Sequence, residues 1–392
     1  MAARSARRMQ HLRPRTGDEQ PATYLELFFD LVYVFAVTQL SLRLGAHLDV
    51  AGFGRTAFLL AVVWWAWIYT TWMANWFDPE SVAVRAVLLV VMLASLLMSI
   101  SLPEAFGSRA VLFAGSYVGL QVVRNAFDVW ATDGNHLFHV VFQRLLAWSL
   151  FTGVFWIAGG LASGHARVAI WLVALGLDYA APFAGYWTPG LGRSATTDWD
   201  IEGSHFSERF QLFIIIALGE SIVETGAAAG QGALDAARVT ALVLAFAASA
   251  ALWWLYFDEV AAHARRRLRA ADDAGRLARD AYTYLHMPIV AGIILSAVGD
   301  ALVIEHPSTA TSAAGLVTIV GGPALYLLGH NLFRLRMIGS ISPKRLAATV
   351  ALVAAGVALS AMPALVPLAA TVVILGALAV SELHDRLAVA AR

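Results

Sequence analysis

The 392 residues are 59% hydrophobic and only 14% charged, with 27 basic and 27 acidic side chains, and the mean hydropathy is +0.68. Soluble domains carry about a quarter charged residues, so this deficit argues against a water-soluble enzyme, and zero net charge argues against a nucleic-acid partner. The absence of Cys excludes disulfides, thiolate metal sites and Cys nucleophiles.

Residues 1–22 are polar and Arg-rich, without the apolar core and cleavage site of a signal peptide. They are expected to form a basic cytoplasmic tail, with the first span directing insertion. Twelve apolar runs follow, each near the roughly 20 residues that cross hydrocarbon. Six lie at 24–44, 54–76, 83–102, 110–131, 138–162 and 167–187, and six at 206–229, 238–260, 282–303, 313–335, 345–363 and 365–383. The pattern predicts an all-α, polytopic membrane protein with about 12 transmembrane helices.

Basic residues are uneven between the runs. One side would hold Arg4, Arg7, Arg8, Arg13, Arg15, Arg193, Arg265, Arg266, Arg267, Arg269, Arg276, Arg279, Arg336, Lys344 and Arg345. The other would hold isolated Arg55, Arg109, Arg167 and Arg238. This asymmetry predicts a multi-pass membrane protein with both termini cytoplasmic, and an Arg-rich cytoplasmic loop at 261–280.

Short motifs recur along the chain. Glu26-Leu-Phe28 is answered by Glu208-Arg-Phe210, Ala36-Val-Thr-Gln39 by Ala217-Leu-Gly-Glu220, Trp64-Trp65 by Trp253-Trp254, and Arg144-Leu145 by Arg345-Leu346. Two parallel six-helix repeats are therefore expected, over 23–189 and 205–392, joined by a cytoplasmic linker at 190–204.

The run Tyr24-Leu-Glu26-Leu-Phe28-Phe29-Asp30-Leu-Val-Tyr-Val-Phe35 resembles the opening signature of the bacterial low temperature requirement protein A family. Trp64-Trp65 through Asn75, Glu208-Arg209-Phe210 through Ala217-Leu-Gly-Glu220-Ser221, and Tyr284-Leu285-His286-Met-Pro288 extend the resemblance across 22–383. It implies a bacterial multi-pass membrane protein associated with growth in the cold. It carries no catalytic or binding residues with it.

Ionisable groups inside apolar runs are costly, by about 2.5–3.5 kcal/mol even on the mild insertion scale, so they point to helix interfaces or cavities. Glu26 and Asp30 lie four apart on one face of the first run, with Arg15 or another Arg as an expected partner for Glu26. Glu220, deep in the seventh run, is the strongest candidate, with Glu224 on the same face and Gly219 expected to admit a neighbouring helix. The fourth run supplies Gln121, Arg124, Asn125 and Asp128, with Arg124 spaced to pair with Asp128. The fifth supplies His139, Gln143 and Arg144, and the tenth His330, Asn331 and Arg334. These sets suit an anionic part of a substrate, or hydrogen-bond networks between helices. His286, two residues before Pro288, suits a proton relay at a helix break, and Asp178 is an acid without a visible partner. The Trp clusters suit helix packing or the membrane interface.

No phosphate-binding loop, His-Glu-x-x-His or Gly-x-Ser-x-Gly occurs, so ATP hydrolysis, zinc proteolysis and α/β-hydrolase chemistry find no footing. The acidic pair Asp272-Asp273 lies among Arg residues and reads as salt-bridged surface. The leading expectation is a secondary transporter, coupled to protons or another cation, of an unidentified small solute. No cofactor or bound metal is expected; the partners would be the lipid bilayer, the solute and a second copy of the chain. A membrane-embedded enzyme acting on a lipid or isoprenoid-like substrate is the alternative, and a non-transporting sensor or assembly factor the third.

Overall fold

The structure is a computed structural model describing residues 11–13, 20–258 and 266–390. Arg4, Arg7, Arg8 and Arg15 of the basic tail, and Arg265 of the Arg-rich loop, lie outside the described residues. Helix accounts for 80% of the chain, and among the described residues there is no strand, only isolated bridges such as Leu12 to Phe77.

In chain order the long helices are α1 (Tyr24–Ala46), α2 (Val50–Trp76), α3 (Val82–Ser101), α4 (Ala110–Ala131), α5 (His136–Leu161) and α6 (Gly164–Ala180). They continue with α7 (Gly203–Gly230), α8 (Ala236–Phe257), α9 (Met287–Glu305), α10 (Gly322–Ile338), α11 (Pro343–Ala358) and α12 (Leu365–Ala390). Side-chain caps begin several of them. Asn135 accepts from Phe138 N at α5, Asp235 from Arg238 N at α8, and Ser342 from Arg345 N at α11, where Pro343 occupies the first turn.

Among the described residues nine helical stretches are long and apolar enough to cross a membrane, fewer than the twelve expected. The other three fall short for physical reasons. The 17 residues of α6 and the 16 of α11 reach about 24–26 Å at 1.5 Å per residue, against ~30 Å of hydrocarbon. The stretch α4 is long enough at 22 residues, but Gln121, Arg124, Asn125 and Asp128 lower its hydropathy.

The ninth run departs from a simple proline kink. A π-helical turn, Ala278–Tyr284, precedes it, the chain turns at Leu285 and His286, and α9 starts afresh with Pro288 in its first turn. There the missing N–H costs no intrahelical bond. A second π-helical turn, Val317–Gly321, leads into α10.

The chain forms two compact units. The first comprises Met1–Gln39, Leu59–Arg209 and Arg269–Arg279; the second comprises Leu40–Phe58, Phe210–Leu268 and Asp280–Arg392. In the first, α4 packs between α3 and α5, and α5 also meets α6. Trp64, Trp65 and Trp67 are fully buried there as helix packing, while Leu89, Leu93, Leu96 and Val111 face outward as lipid-facing residues would. Segment 190–204 is bound closely: Arg144 donates to Leu191 O and Ser194 Oγ, and Asn75 exchanges two hydrogen bonds with the Glu202 backbone. Asp273 caps the short helix Ala274–Leu277 and accepts from Thr196 Oγ1 at 2.6 Å.

In the second unit, α9 packs against α8 and α10, and α12 against α8 and α11. Its apolar core is rich in small side chains, including Ala228, Ala241, Ala245 and Ala248, with Val303, Ile304 and Leu368. Backbones come very close between α9 and α10. A Cβ at Gly292 would lie 2.6 Å from Tyr326 N, and one at Gly322 would lie 2.6 Å from Ser296 N.

Candidate functional site

Two clusters of buried charge stand out, one in each unit, and they differ in how the charge is balanced. In the first unit the start of α1 meets the start of α7 through two matched pairs. Glu26 Oε1 lies 2.7 Å from His205 Nε2, and Asp30 Oδ1 accepts from Arg209 Nη2 at 2.7 Å. Each pair of donors and each pair of acceptors is spaced four residues, one helical turn, so the segments run side by side in the same direction. Asn75 Nδ2 donates to His205 Nδ1 at 3.0 Å, which places the ring proton on Nε2, facing Glu26. Thr23 caps α1 by donating N–H and Oγ1–H to Glu26 Oε2, which Arg13 approaches to 3.9 Å. Trp67 Nε1 donates to Asp30 at 2.8 Å, and its ring lies under the Arg209 guanidinium. Among the described residues Glu26 thus meets His205 and, at 3.9 Å, Arg13, an Arg partner of the kind expected, while Arg15 lies outside the described residues.

Glu202, just before α7, lies outside the spans. Burial disfavours its charge, but hydrogen bonds from His205 N and from Ser204 N and Oγ outweigh that and hold its pKa below the usual carboxylate range.

The expected fourth- and fifth-run residues also fall in the first unit. Arg124, 1% exposed, donates to Gln121 Oε1, to Asn125 Oδ1 at 3.3 Å and to Thr70 Oγ1 at 3.4 Å, and lies over the Tyr69 ring. It does not reach Asp128 in an ion pair, because these bonds hold it to its own helix and α2. Asp128 Oδ1 is buried without a hydrogen-bond partner among the described residues. Asn125 donates to Ser149 Oγ at 2.6 Å. His139 joins Val129 O to Gln143, and Arg144 fastens the 190–194 segment, so these three form structural links between neighbouring elements. Asp178 has partners the sequence did not reveal: Tyr117 O–H at 2.8 Å and Trp156 Nε1–H at 2.9 Å. It borders a small cleft with Trp65, Tyr69, Gln121, Trp148 and Tyr186, with room for about a water molecule.

The second unit holds the remaining candidates. His286 Nε2 pairs with Tyr256 O–H at 2.9 Å, and its ring stacks on Tyr282. His330 Nδ1 faces Arg345 Nη1 at 3.0 Å. Arg345 is 2% exposed and grips both Glu382 oxygens, at 2.8 and 2.9 Å, so it is an inter-helix ion pair and not a loop charge. Arg334 is half-buried on α10.

Glu220 is buried on α7, and Glu224 is half-buried one turn on. Nothing lies within 4 Å of the position a Cβ would take at Gly219, which therefore admits no close helix. The groups acting on Glu224 are the Glu220 and Glu305 carboxylates and the Ser41 hydroxyl of α1. The Ser41 hydroxyl is fully buried beside the Glu224 carboxylate, which is its polar neighbour. Asp300 of α9, 3% exposed, has Glu224 as its charged neighbour. Sequence reading missed Asp300, though it is the one ionisable side chain between Pro288 and Leu302. Among the described residues no three His, Cys, Asp or Glu side chains converge on a metal position.

The family model for the bacterial low temperature requirement A protein (LtrA) matches residues 21–380. A Rhizobium meliloti (strain 1021) protein described as uncharacterized is 36% identical over 319 residues, which cover 81% of this chain and 78% of that one. No solved structure matches the chain.

Proposed function

The chain belongs to the bacterial low temperature requirement A protein family, and on that footing we propose that it is a secondary transporter of a small solute, coupled to protons or another cation. The reading places it in the inner membrane with both termini cytoplasmic, following the Arg-rich segments. Two six-helix repeats would frame the pathway, and copies of the chain would associate in the bilayer.

One observation supports coupling above the rest: Glu224 and Asp300 lie in apolar helices, and the charged groups that act on them are other carboxylates. Charge left unbalanced in such surroundings is expensive, and taking up and releasing a cation gives it a use. Asp30, by contrast, is already neutralised by Arg209 and fits a fixed structural role.

The test uses everted membrane vesicles energised to acidify their interior, with a pH-sensitive dye. Solutes are added by class: inorganic cations, amino acids, sugars and organic anions. A transporter discharges the gradient when one class is added, and Glu220→Gln removes that response while the protein level stays unchanged. Turnover of a lipid by the purified protein in detergent, with no gradient, would instead establish the enzyme.

A further inference from the structure

The small cleft beside Asp178 is built by four helices of the first unit. Trp65 and Tyr69 come from α2, Gln121 from α4, Trp148 and Ser149 from α5, and Asp178 from α6. Tyr186, in the turn after α6, completes the lining. Its backbone φ is +51°, and no other non-glycine among the described residues has a positive φ. An aromatic residue seldom holds that conformation unless its surroundings impose it. Here hydrogen bonds fix the turn on both sides. Tyr186 N–H donates to Ala181 O at 3.0 Å, Ser194 N–H to Gly185 O at 2.7 Å, and Trp148 Nε1–H to Trp187 O at 3.1 Å. The Tyr186 and Trp148 rings stand at 86° with centroids 6.4 Å apart, and the Tyr186 hydroxyl meets that of Tyr69.

Most polar groups around the cleft are already engaged. Gln121 accepts from Arg124 and donates to the Tyr117 hydroxyl. Ser149 Oγ donates to Leu145 O and accepts from Asn125. The Asp178 carboxylate, 8% exposed, is different. Tyr117 and Trp156 donate to its Oδ2, and the Thr152 hydroxyl is its other hydrogen-bonding neighbour. These three groups are neutral, and a carboxylate has about four acceptor sites. A buried negative charge held by neutral donors calls for a cation. Arg124 is committed elsewhere, over the Tyr69 ring and bound to Gln121, Asn125 and Thr70.

The cleft offers about 20 Å³. A water molecule fits that space but needs two to four polar partners, and aromatic walls supply few. A metal ion needs several oxygen ligands. An ammonium ion is nearly as small as water, donates to a carboxylate, and is attracted to the faces of Trp and Tyr rings. We propose that the cleft binds an ammonium group, as the free ion or as the head of a primary amine. Asp178 is its counter-ion, and Trp65, Trp148 and Tyr186 form its walls. This site is separate from Glu220, Glu224 and Asp300 and does not depend on the transporter reading.

Ligand that binds only the folded protein raises its melting temperature. The test follows thermal unfolding of the purified full-length protein in detergent at neutral pH. Ammonium, methylammonium, potassium and tetramethylammonium chlorides are titrated at constant ionic strength. The expected result is a saturable rise with ammonium that potassium and tetramethylammonium do not produce. A rise with ammonium alone supports the free ion as occupant, and a rise with methylammonium too supports the head of a primary amine. Asp178→Asn should abolish the rise, and Trp148→Leu should weaken the apparent affinity at least tenfold. Trp148→Leu carries the comparison if Asp178→Asn fails to fold. An equal rise with potassium overturns the choice of ammonium. No saturable rise with any of the four, or a rise that either folded variant leaves unchanged, overturns the site.

Discussion

Arg209 Nη2 lies 2.7 Å from Asp30 Oδ1, and both side chains are 1% exposed. The pair joins two helix starts far apart in sequence, and each charge is tolerable only because the other is present. Asp30→Ala or Arg209→Ala alone should therefore destabilise the protein by about 3–5 kcal/mol. The double variant should cost much less than the sum of the two. Thermal unfolding of all four proteins in one detergent measures the coupling, and additive losses would show that the pair is not interacting.

Arg345→Lys should behave as a disruptive change. Lys cannot span both Glu382 oxygens and also reach His330 and Leu255 O, as the guanidinium does. A loss of about 2–4 kcal/mol follows from breaking a buried, bidentate ion pair. Lys344 and Asp385, nearby and largely exposed at 39% and 59%, form the control. Lys344→Ala should change stability by less than ~1 kcal/mol. Equal melting shifts for the two substitutions would contradict the difference in burial.

How far these sites could be read in advance depends on the residue. Glu220 and Glu224 were visible because an acid in an apolar run announces itself. Glu26 and Asp30 were visible too, but their partners were not. His205 lies at the polar start of α7, where an imidazole looks unremarkable, and pairing across 179 residues leaves no local trace. The equal four-residue spacing of Glu26 and Asp30 and of His205 and Arg209 is the signal that could have matched them. The count of twelve spans is met only in part among the described residues, for another reason: hydropathy marks apolar runs but does not fix where a helix begins, and α6 and α11 are shorter than their runs.

Acid should act on Glu202. Its folded pKa is below its unfolded one, so its contribution to stability is present above the unfolded value and is lost as pH falls through the folded value. Wild type should accordingly exceed Glu202→Gln in melting temperature by a constant margin near neutrality, and the margin should shrink on the acid side of the usual carboxylate range. Parallel curves down to the acid limit would remove Glu202 from the account.

Two glycine substitutions should have opposite outcomes. At Gly292 an added methyl meets Tyr326 N at 2.6 Å and Gly322 O at 2.8 Å, backbone atoms that cannot step aside. Gly292→Ala should cost about 1–3 kcal/mol by overpacking. At Gly176 in α6 nothing lies within 4 Å, and Gly176→Ala should be neutral or stabilising by up to about 1 kcal/mol through helix propensity. Melting temperatures of the two variants decide it.

Close backbone approach also bears on Asp300, whose neighbour Gly299 presses on the 317–321 turn with a Cβ position 2.8 Å from Ile319 N. Main chain rests on main chain there, with no side chain between to act as a cushion. The carboxylate of Asp300 is thus mounted on a stiff pedestal, whereas Gly219 and Gly226 leave space around the helix that carries Glu220 and Glu224.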